Sequence, residues 1–285
     1  MRWRGQRESD NVEDRRGISV SGRGVALSGT GIVLLLALAL ATGQDPLALL
    51  ETVGGPVASV EPGPGGRVGA PTDESGQFTS VVLASTEDVW GRQFDASGRR
   101  YDEPTLVLFS DAVDSACGFN SAAVGPFYCP VDRKVYLDLS FFEELERRFG
   151  APGDFAHAYV IAHEVGHHVQ NLLGVAERVH GAQRRASREE ANALSVRMEL
   201  QADCLAGVWA HDANRQADLL DPGDVEEGLR AAAAIGDDQL QKQAQGYTVP
   251  ESWTHGSSAM RAKWLRRGLE RGSVEACDTF AARDL

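Results

Sequence analysis

The sequence predicts an α+β domain that is mostly helical, carries a small β-sheet or hairpin, and follows one N-terminal transmembrane helix. Three observations lead to this fold class. Short β-rich runs come first, and long helical patterns fill the second half of the chain. An uncharged run precedes both, and a Gly/Pro-rich stretch separates it from them. With 285 residues, of which 24% are charged, the composition is that of an ordinary globular protein.

The charge of the chain bears on its partners. The formal net charge is -13 at pH 7. Nucleic-acid binding requires clustered Lys and Arg side chains that displace the counterions of the phosphates. We therefore expect no nucleic-acid partner.

The N-terminal region has the pattern of a membrane anchor. Residues 1–23 are rich in arginine, and residues 24–44 carry no charge. A helix over the uncharged run would span roughly 30 Å, the hydrocarbon thickness of a bilayer. Arginines before it, and Asp45 and Glu51 after it, predict a cytoplasmic N-terminus and a single crossing. The rest of the chain would then face the periplasm or the exterior of the cell.

Two alternatives to a retained anchor stay open. Cleavage after the small-residue run that ends at Ala41 would make the segment a signal peptide. A buried core helix is less favoured, because a Gly/Pro-rich stretch follows directly. That stretch, residues 45–76, predicts a flexible linker. Residues 77–285 have the length and composition of one globular domain.

The domain is predicted to begin with a helix, a strand and a hairpin. Ser85 is the expected N-cap of a helix over residues 85–94. Residues 105–110 form a β-rich run. The segments FYC and VYLDLS, separated by the turn-like PVDRK, predict an antiparallel hairpin.

Helices fill the remainder of the predicted domain. Ser140 with Glu143 has the pattern of a capping box that opens a short helix. A longer helix begins near Asp154 and ends at Gly174, a residue suited to the left-handed position after a helix. Later helical patterns are a helix opened by the capping box of Ser187 and Glu190, and two further stretches at 222–245 and 257–270.

The segment AYVIAHEVGHHVQNLLG, residues 158–174, carries the most informative motif. His163 and His167 are four residues apart, so a helix presents both imidazoles on one face toward a single ion. Glu164 is placed to reach a water molecule beside that ion. The motif is His-Glu-x-x-His within apolar residues, which predicts a Zn²⁺ hydrolase site rather than a surface helix with accidental histidines. His168 points elsewhere on the helix and is expected to serve packing or to support a ligand.

A third zinc ligand is required, because catalytic zinc usually has three protein ligands and one open position. Gln170 and Leu173 stand where the metzincin pattern needs Gly and His, which excludes that class. The later segment ELQAD offers Glu199 as the ligand. Asp203, four residues on, is expected to bond the second nitrogen of His163. The less favoured third ligands are Cys204, His180 and His211.

Catalysis needs a proton carrier and a group that stabilises negative charge on oxygen. Glu164 is the expected general base, because it can take the proton of a water molecule that zinc activates and pass it to the leaving amine. His255 and Arg261, in THGSSAMRAKWL, are candidate donors to the developing oxyanion. The β-rich runs offer an edge along which an extended peptide could pair.

Four cysteines in a domain expected outside the cytoplasm predict disulfides. Three connectivities are possible. Cys117 and Cys129 flank a short segment and are the favoured pair, which leaves Cys204 with Cys277. The alternative for Cys204 is a small buried side chain.

Long segments of the chain resemble the bacterial neutral zinc metallopeptidase family. They include STEDVWG, SACGFNSAAVGPFYCPVDRKVYLDLSFFEEL, RFGAPGDFAHAYVIAHEVGHHVQNLLG and MELQADCLAGVWA. The resemblance covers nearly the whole chain except the linker, and it implies a membrane-anchored, zincin-like metallopeptidase. It further implies a gluzincin-type site in which His163, His167 and Glu199 are the ligands and Glu164 is the base. The THGSS segment resembles the corresponding element of gluzincin peptidases, which favours His255.

The leading functional hypothesis is a zinc endopeptidase that acts outside the cytoplasmic membrane on a protein or peptide substrate. One alternative is an anchored zinc-binding module that holds a peptide or partner without cleaving it; Glu164 disfavours it, because binding alone needs no base. Another is an amidase or deformylase-like hydrolase that uses the same zinc geometry on a non-peptide or formylated substrate. A deformylase-like site would place Cys204 on zinc in place of Glu199.

Overall fold

A computed structural model describes residues 1–17, 67–68, 71–122 and 125–285. The described residues belong to one compact unit. The predicted anchor at 24–44 and most of the predicted linker lie outside them. Within the described ranges, no helix combines the length and the apolar character needed to cross a bilayer.

The strands of the described residues form two sheets. In chain order they are β1 (Val12–Asp14), β2 (Arg67–Val68), β3 (Thr105–Phe109), β4 (Ala112–Ser115), β5 (Gly118–Ser121), β6 (Phe127–Cys129) and β7 (Lys134–Asp138). The larger sheet has the order β2-β1-β3-β7-β6, and β4 pairs only with β5. Strands β1, β3 and β7 are parallel, whereas β2 and β6 are antiparallel strands at the two edges.

The α-helices of the described residues follow the sheet, apart from the first. They are α1 (Glu74–Ala96), α2 (Ser140–Arg147), α3 (Asp154–Leu172), α4 (Val175–Gln183), α5 (Arg188–Ala217), α6 (Asp224–Ala234), α7 (Asp237–Gln245) and α8 (Ser258–Arg271). Short 3-10 turns occur at Pro250–Ser252 and Val274–Cys277. The α+β class with a predominance of helix is therefore confirmed.

The larger sheet separates two apolar clusters, because successive side chains of a strand point to opposite faces. Leu106 and Leu108 of β3 and Val135 of β7 belong to the main core, which the helices complete. Val107 and Tyr136 point the other way into a small cluster that includes Val113 of β4. The predicted strand at 105–110 and the hairpin after it are both confirmed.

The N-terminal residues are part of this unit, which corrects the predicted division of the chain. Strand β1 pairs in parallel with β3, with Val12 opposite Leu106. Val12 is fully buried, and Trp3 lies in the main core against Phe78. Residues 1–17 therefore belong to the folded unit and are not a segment separate from it.

The start of α1 moves the predicted domain boundary. This helix begins at Glu74, and the Asp73 side chain accepts a hydrogen bond from the Gly76 backbone N–H. Ser85 is therefore inside the helix and is not an N-cap; its hydroxyl accepts a hydrogen bond from Trp209 Nε1 at 3.1 Å. The boundary predicted at residue 77 is too late, because β2 and the first turn of α1 precede it.

The two predicted capping boxes have different outcomes. The box of Ser187 and Glu190 is present at the start of α5. No side-chain cap forms at α2, where the Ser140 backbone N–H donates to Asp138 Oδ1 at 2.9 Å instead. The carboxylate at the end of β7 replaces the hydroxyl that the sequence pattern favoured.

Candidate metal centre

Two helices bring the predicted metal ligands together, and a glycine permits their close approach. Gly166 of α3 faces Ala202 of α5, and a Cβ on Gly166 would lie 2.9 Å from the Ala202 carbonyl oxygen. Any side chain at this position would push the helices apart. The glycine inside the His-Glu-x-x-His motif therefore allows α5 to present Glu199 to the two histidines of α3.

His163, His167 and Glu199 form a compact group of three donors. His163 Nε2 lies 3.1 Å from Glu199 Oε2, and His167 Nε2 lies 3.3 Å from Glu199 Oε1. One ligand atom from each side chain lies within 4.8 Å of the other two. Two imidazoles and one carboxylate are a donor set of catalytic zinc sites.

The hydrogen bonds behind the histidines fix which nitrogen carries the proton. His163 Nδ1 donates to Asp203 Oδ1 at 2.8 Å, and His167 Nδ1 donates to Gln170 Oε1 at 2.9 Å. The Gln170 amide is oriented by its own donation to the Met198 carbonyl oxygen at 2.7 Å. Each Nε2 is therefore the nitrogen that remains to ligate a cation, and it faces Glu199. Two imidazole nitrogens and one carboxylate that converge in this way fit Zn²⁺, which would take the place of a proton held between them.

The electrostatics of the site favour positive charge at the same place. Burial lowers the pKa of His163, but Asp203 and Glu199 outweigh burial and raise this pKa to about 10. Burial raises the pKa of Glu199, but His167 and His163 outweigh it and hold the pKa well below its usual range.

Gln170 was not predicted as a site residue. A glutamine within a helix gives no sign in the sequence of which side chain it will bond.

Asp203 belongs to a buried network that includes Arg261. Arg261 donates from Nε to Asp203 Oδ2 at 2.9 Å and from Nη2 to Oδ1 at 3.0 Å. The Tyr159 hydroxyl donates to Asp203 Oδ1 at 2.5 Å and accepts from Arg261 Nη2 at 3.1 Å. Only 3% of the Arg261 side chain is exposed. Arg261 thus positions Asp203. It also lines the cavity of the metal ligands, and its contact with a developing oxyanion stays a prediction.

Close packing of α5 and α8 makes this network possible. A Cβ on Gly268 of α8 would lie 1.9 Å from the Cys204 carbonyl oxygen of α5. The glycine lets the two helix backbones touch, which brings Arg261 against Asp203. Sequence reasoning placed both residues at the site but could not show that they are partners.

His255 lines the same cavity as the metal ligands, as predicted, and Asp237 holds it there. Asp237 Oδ2 accepts hydrogen bonds from the backbone N–H groups of Thr254, His255 and Gly256, at 2.8, 2.7 and 2.9 Å. Asp237 Oδ1 lies 3.2 Å from His255 Nδ1. That hydrogen bond raises the pKa of His255, although burial opposes it. Sequence reasoning missed Asp237, because an aspartate at a helix start reads as an ordinary cap.

The cavity has a volume of about 650 Å³ and combines polar and apolar walls. Glu164 and His255 line it together with the three ligand residues. Apolar and aromatic lining side chains include Phe127, Tyr128, Phe141, Phe149, Val160 and Leu240. The edge strand β6 borders the cavity through Phe127 and Tyr128. A bound peptide in extended conformation could therefore lie along β6 and pass the metal centre.

His168 takes no part in the metal centre, as expected. It is fully buried, and each of its ring nitrogens makes a hydrogen bond. Nδ1 lies 3.0 Å from the Tyr128 hydroxyl, and Nε2 lies 2.6 Å from the Asp102 carbonyl oxygen. Burial lowers the pKa of His168 to about 4. The ring is therefore neutral and connects α3 to its neighbours.

The alternative third ligands do not join the cluster. Cys204 is bonded to Cys277, and Cys117 is bonded to Cys129, so both favoured disulfides are confirmed. A disulfide sulfur cannot serve as the thiolate ligand that a deformylase-like site needs. His211 Nδ1 donates to the Leu269 carbonyl oxygen at 2.7 Å. His180 lines the cavity but does not belong to the group of converging donors.

Comparison with known proteins agrees with this site. Residues 1–280 match the model of the family described as "Putative neutral zinc metallopeptidase". Uncharacterized protein YpfJ of Escherichia coli strain K12 is 49% identical over 289 residues, which cover 98% of this chain and 99% of the relative. Uncharacterized protein Rv2575 of Mycobacterium tuberculosis strain H37Rv is 45% identical over 231 residues, 77% of this chain and 75% of the relative. No solved structure gives a significant match.

Proposed function

The chain belongs to the neutral zinc metallopeptidase family, and we propose that it is a zinc-dependent endopeptidase that hydrolyses peptide bonds in proteins or peptides. The observation that carries this proposal is the placement of Glu164. Its carboxylate lines the cavity into which His163, His167 and Glu199 converge. A module that only binds peptides has no use for a general base at that position.

Each residue of the site has a separate role in the proposed hydrolysis. When bound, zinc supplies Lewis acidity that activates water and polarises the scissile carbonyl. Glu164 accepts the proton of the attacking water and returns it to the leaving amine nitrogen. His255, held by Asp237, donates a hydrogen bond to the oxygen that gains negative charge. Asp203 and Gln170 keep the ligand imidazoles in one tautomer and one orientation.

The shape of the cavity suits a polypeptide substrate. Among the described strands β6 pairs only with β7, so its other side offers backbone groups to an extended peptide. The aromatic and aliphatic wall favours apolar side chains beside the scissile bond. Backbone pairing along β6 would select for unfolded or extended segments.

We propose that the folded unit lies on the non-cytoplasmic side of the membrane. Because β1 and β3 pair in one sheet, a single crossing by residues 24–44 is not part of this proposal. Two disulfides favour an oxidising compartment. Residues 1–17 share that compartment, since β1 is in the sheet. Single cysteines introduced at exposed Asp10 and Glu189 should both react in intact cells with a maleimide that does not cross the cytoplasmic membrane. Labelling of only one position would reject this arrangement.

Proteolysis of an unfolded test protein tests the function. The zinc-loaded full chain is compared with Glu164→Gln at matched zinc occupancy. We expect the wild type to cut and the variant to bind zinc without cutting. If neither protein cuts while both hold one zinc ion, the peptidase proposal fails, and a non-hydrolytic peptide-binding module becomes the better description.

A further inference from the structure

Tyr128 and His168 join the edge strand β6 to helix α3, one residue away from the ligand His167. The His168 Nε2 atom lies 2.6 Å from the Asp102 carbonyl oxygen. A carbonyl oxygen only accepts, so Nε2 carries the proton and Nδ1 is the acceptor. The Tyr128 hydroxyl therefore donates to His168 Nδ1 at 3.0 Å, and it accepts from Asn171 Nδ2 at 3.0 Å. Each of these hydrogen bonds therefore has a defined donor and a defined acceptor.

The direction of the side chains makes Tyr128 the member of β6 that faces the helix. Phe127 stacks on Tyr136, and Cys129 joins the small cluster on the far face of the sheet. Tyr128 points to the opposite face, because side chains alternate along a strand. Its ring meets the His168 ring edge to face at 5.4 Å between centroids. The strand pairs with β7 along one side, and the bonds of the Tyr128 hydroxyl to His168 and Asn171 join it to α3.

We propose that Tyr128 and His168 are positioning residues that hold β6 at the distance from the metal centre at which a bound polypeptide is cleaved. The inference rests on the proposed function and specifies how it treats long substrates. A peptide paired with β6 is fixed by the strand, whereas the reacting carbonyl is fixed by the ligands on α3 and α5. Both conditions hold together only at one separation of β6 and α3. A shift of about 1 Å between the two is enough to impair reaction.

The effect should depend on substrate length. A peptide that spans the cavity can pair with the outward-facing backbone groups of β6 and reach the metal centre at the same time. A blocked dipeptide reaches the metal centre with little help from the strand. Loss of the Tyr128–His168 bond should therefore raise KM for the long peptide and leave KM for the short one nearly unchanged.

Tyr128→Phe and a matched control test this inference. The Phe variant keeps the ring and removes the hydroxyl that bonds His168 and Asn171. Tyr136→Phe is the control: it also removes a bonded hydroxyl, which donates to Asp132 Oδ2 at 2.7 Å, but from the neighbouring strand β7 and the far face of the sheet. Both variants are made in the full chain, with zinc affinity measured for each.

Two measurements are made on each protein. The first is kcat and KM for the long and the short peptide. The second is the Kd of the long peptide for the same variants in the Glu164→Gln background, where no cleavage occurs. For Tyr128→Phe we expect KM and Kd of the long peptide to rise about tenfold, with zinc affinity unchanged. His168→Gln breaks the same link, and combining it with Tyr128→Phe should raise the peptide Kd no further than one change alone.

The outcomes separate this inference from the proposed function. If Tyr128→Phe leaves the Kd and KM of the long peptide unchanged, the positioning role is overturned. The peptidase proposal still stands in that case, provided that the wild type cleaves. An equal loss in Tyr136→Phe, or an equal loss for both peptides, would also overturn it. If the wild type neither cleaves nor, in the Glu164→Gln background, binds the peptide, the proposed function fails and this inference fails with it.

Discussion

Arg261 donates two hydrogen bonds to Asp203, one to each carboxylate oxygen, at 2.9 and 3.0 Å. Both side chains are buried, so each charge depends on the other. Burial raises the pKa of Asp203, but Arg261 and His163 outweigh burial and lower this pKa to about 2. Asp203 is therefore ionised at neutral pH and holds the proton of His163 on Nδ1, away from the metal position.

Asp203→Asn should weaken both zinc binding and the fold. The substitution keeps the shape but leaves the Arg261 charge buried without a partner. We expect the free energy of unfolding to fall by about 3–5 kcal/mol and zinc affinity to fall about 10- to 100-fold. Competition with a chelator gives the zinc Kd, and urea denaturation of the zinc-free protein gives the stability. An unchanged zinc Kd would contradict the role of Asp203 behind His163.

Gln170→Leu should weaken zinc binding through His167. The variant removes the acceptor of the His167 Nδ1–H bond and frees the imidazole to rotate. We expect zinc affinity to fall by roughly tenfold or more. Gln183→Leu is the matched control, because Gln183 bonds Ala191 and Ser195 and contacts no ligand. Equal zinc affinities for the two variants would show that Gln170 does not support the ligand.

Local periodicity explains what the sequence could predict of the site. His163 and His167 are one helical turn apart, and Glu199 and Asp203 are too, so each pair shares a face without knowledge of the tertiary structure. The partner of Arg261 could not be predicted, because it depends on how α8 packs against α5. Packing also gives Arg261 a buried ion pair with Asp203, for which the sequence holds no local signal.

The pairing of strands in the sheet also depends on contacts between distant parts of the chain, which the sequence does not reveal. The hairpin of β6 and β7 has a short turn and was predictable from residue types alone. Strand β1 has three residues, and its partner β3 lies about ninety residues later in the chain. Such a pairing leaves no local signal, and the arginines around β1 favoured a cytoplasmic flank instead. In the structure two of them, Arg15 and Arg16, bond Glu13 and Asp14.

The pH profile of peptide cleavage should report His255. Its hydrogen bond with Asp237 raises the pKa above the usual value of 6.5, so the charged imidazolium persists to higher pH. If the imidazolium stabilises the oxyanion, kcat/KM falls as pH rises through this raised pKa. In Asp237→Asn the pKa drops and the fall occurs at lower pH. His255→Asn should lose this limb and reduce kcat about 10²- to 10³-fold.

Asp238→Asn is the control for the pH profile. Asp238 bonds the backbone N–H and hydroxyl of Ser258 and makes no bond to His255. It therefore repeats the change of charge without removing the partner of the histidine. If the alkaline limb moves equally in Asp237→Asn and Asp238→Asn, the limb does not belong to the His255–Asp237 pair.

Val12→Ala should destabilise the whole domain. Val12 is fully buried between β3 and the helices, so its truncation leaves a cavity. We expect a loss of about 2 kcal/mol in the free energy of unfolding. Asp10→Ala, at an exposed position two residues earlier, should change it by no more than about 0.5 kcal/mol. Equal stabilities would mean that the N-terminal residues do not pack in the sheet.

Removal of each disulfide should lower the free energy of unfolding by a different amount. Cys204 and Cys277 are 73 residues apart, whereas Cys117 and Cys129 are 12 apart. Because a longer closed loop restricts the unfolded chain more, the paired Ala substitutions should cost about 4 kcal/mol at Cys204 and Cys277 and about 3 kcal/mol at Cys117 and Cys129. Guanidinium unfolding of each double variant measures the difference. Cys204 follows Asp203 directly on α5, so its pair should also affect zinc affinity, which the Cys117–Cys129 pair should leave unchanged. The reverse order in stability, or equal effects on zinc, would show that the Cys204–Cys277 bond does not hold α5 in place.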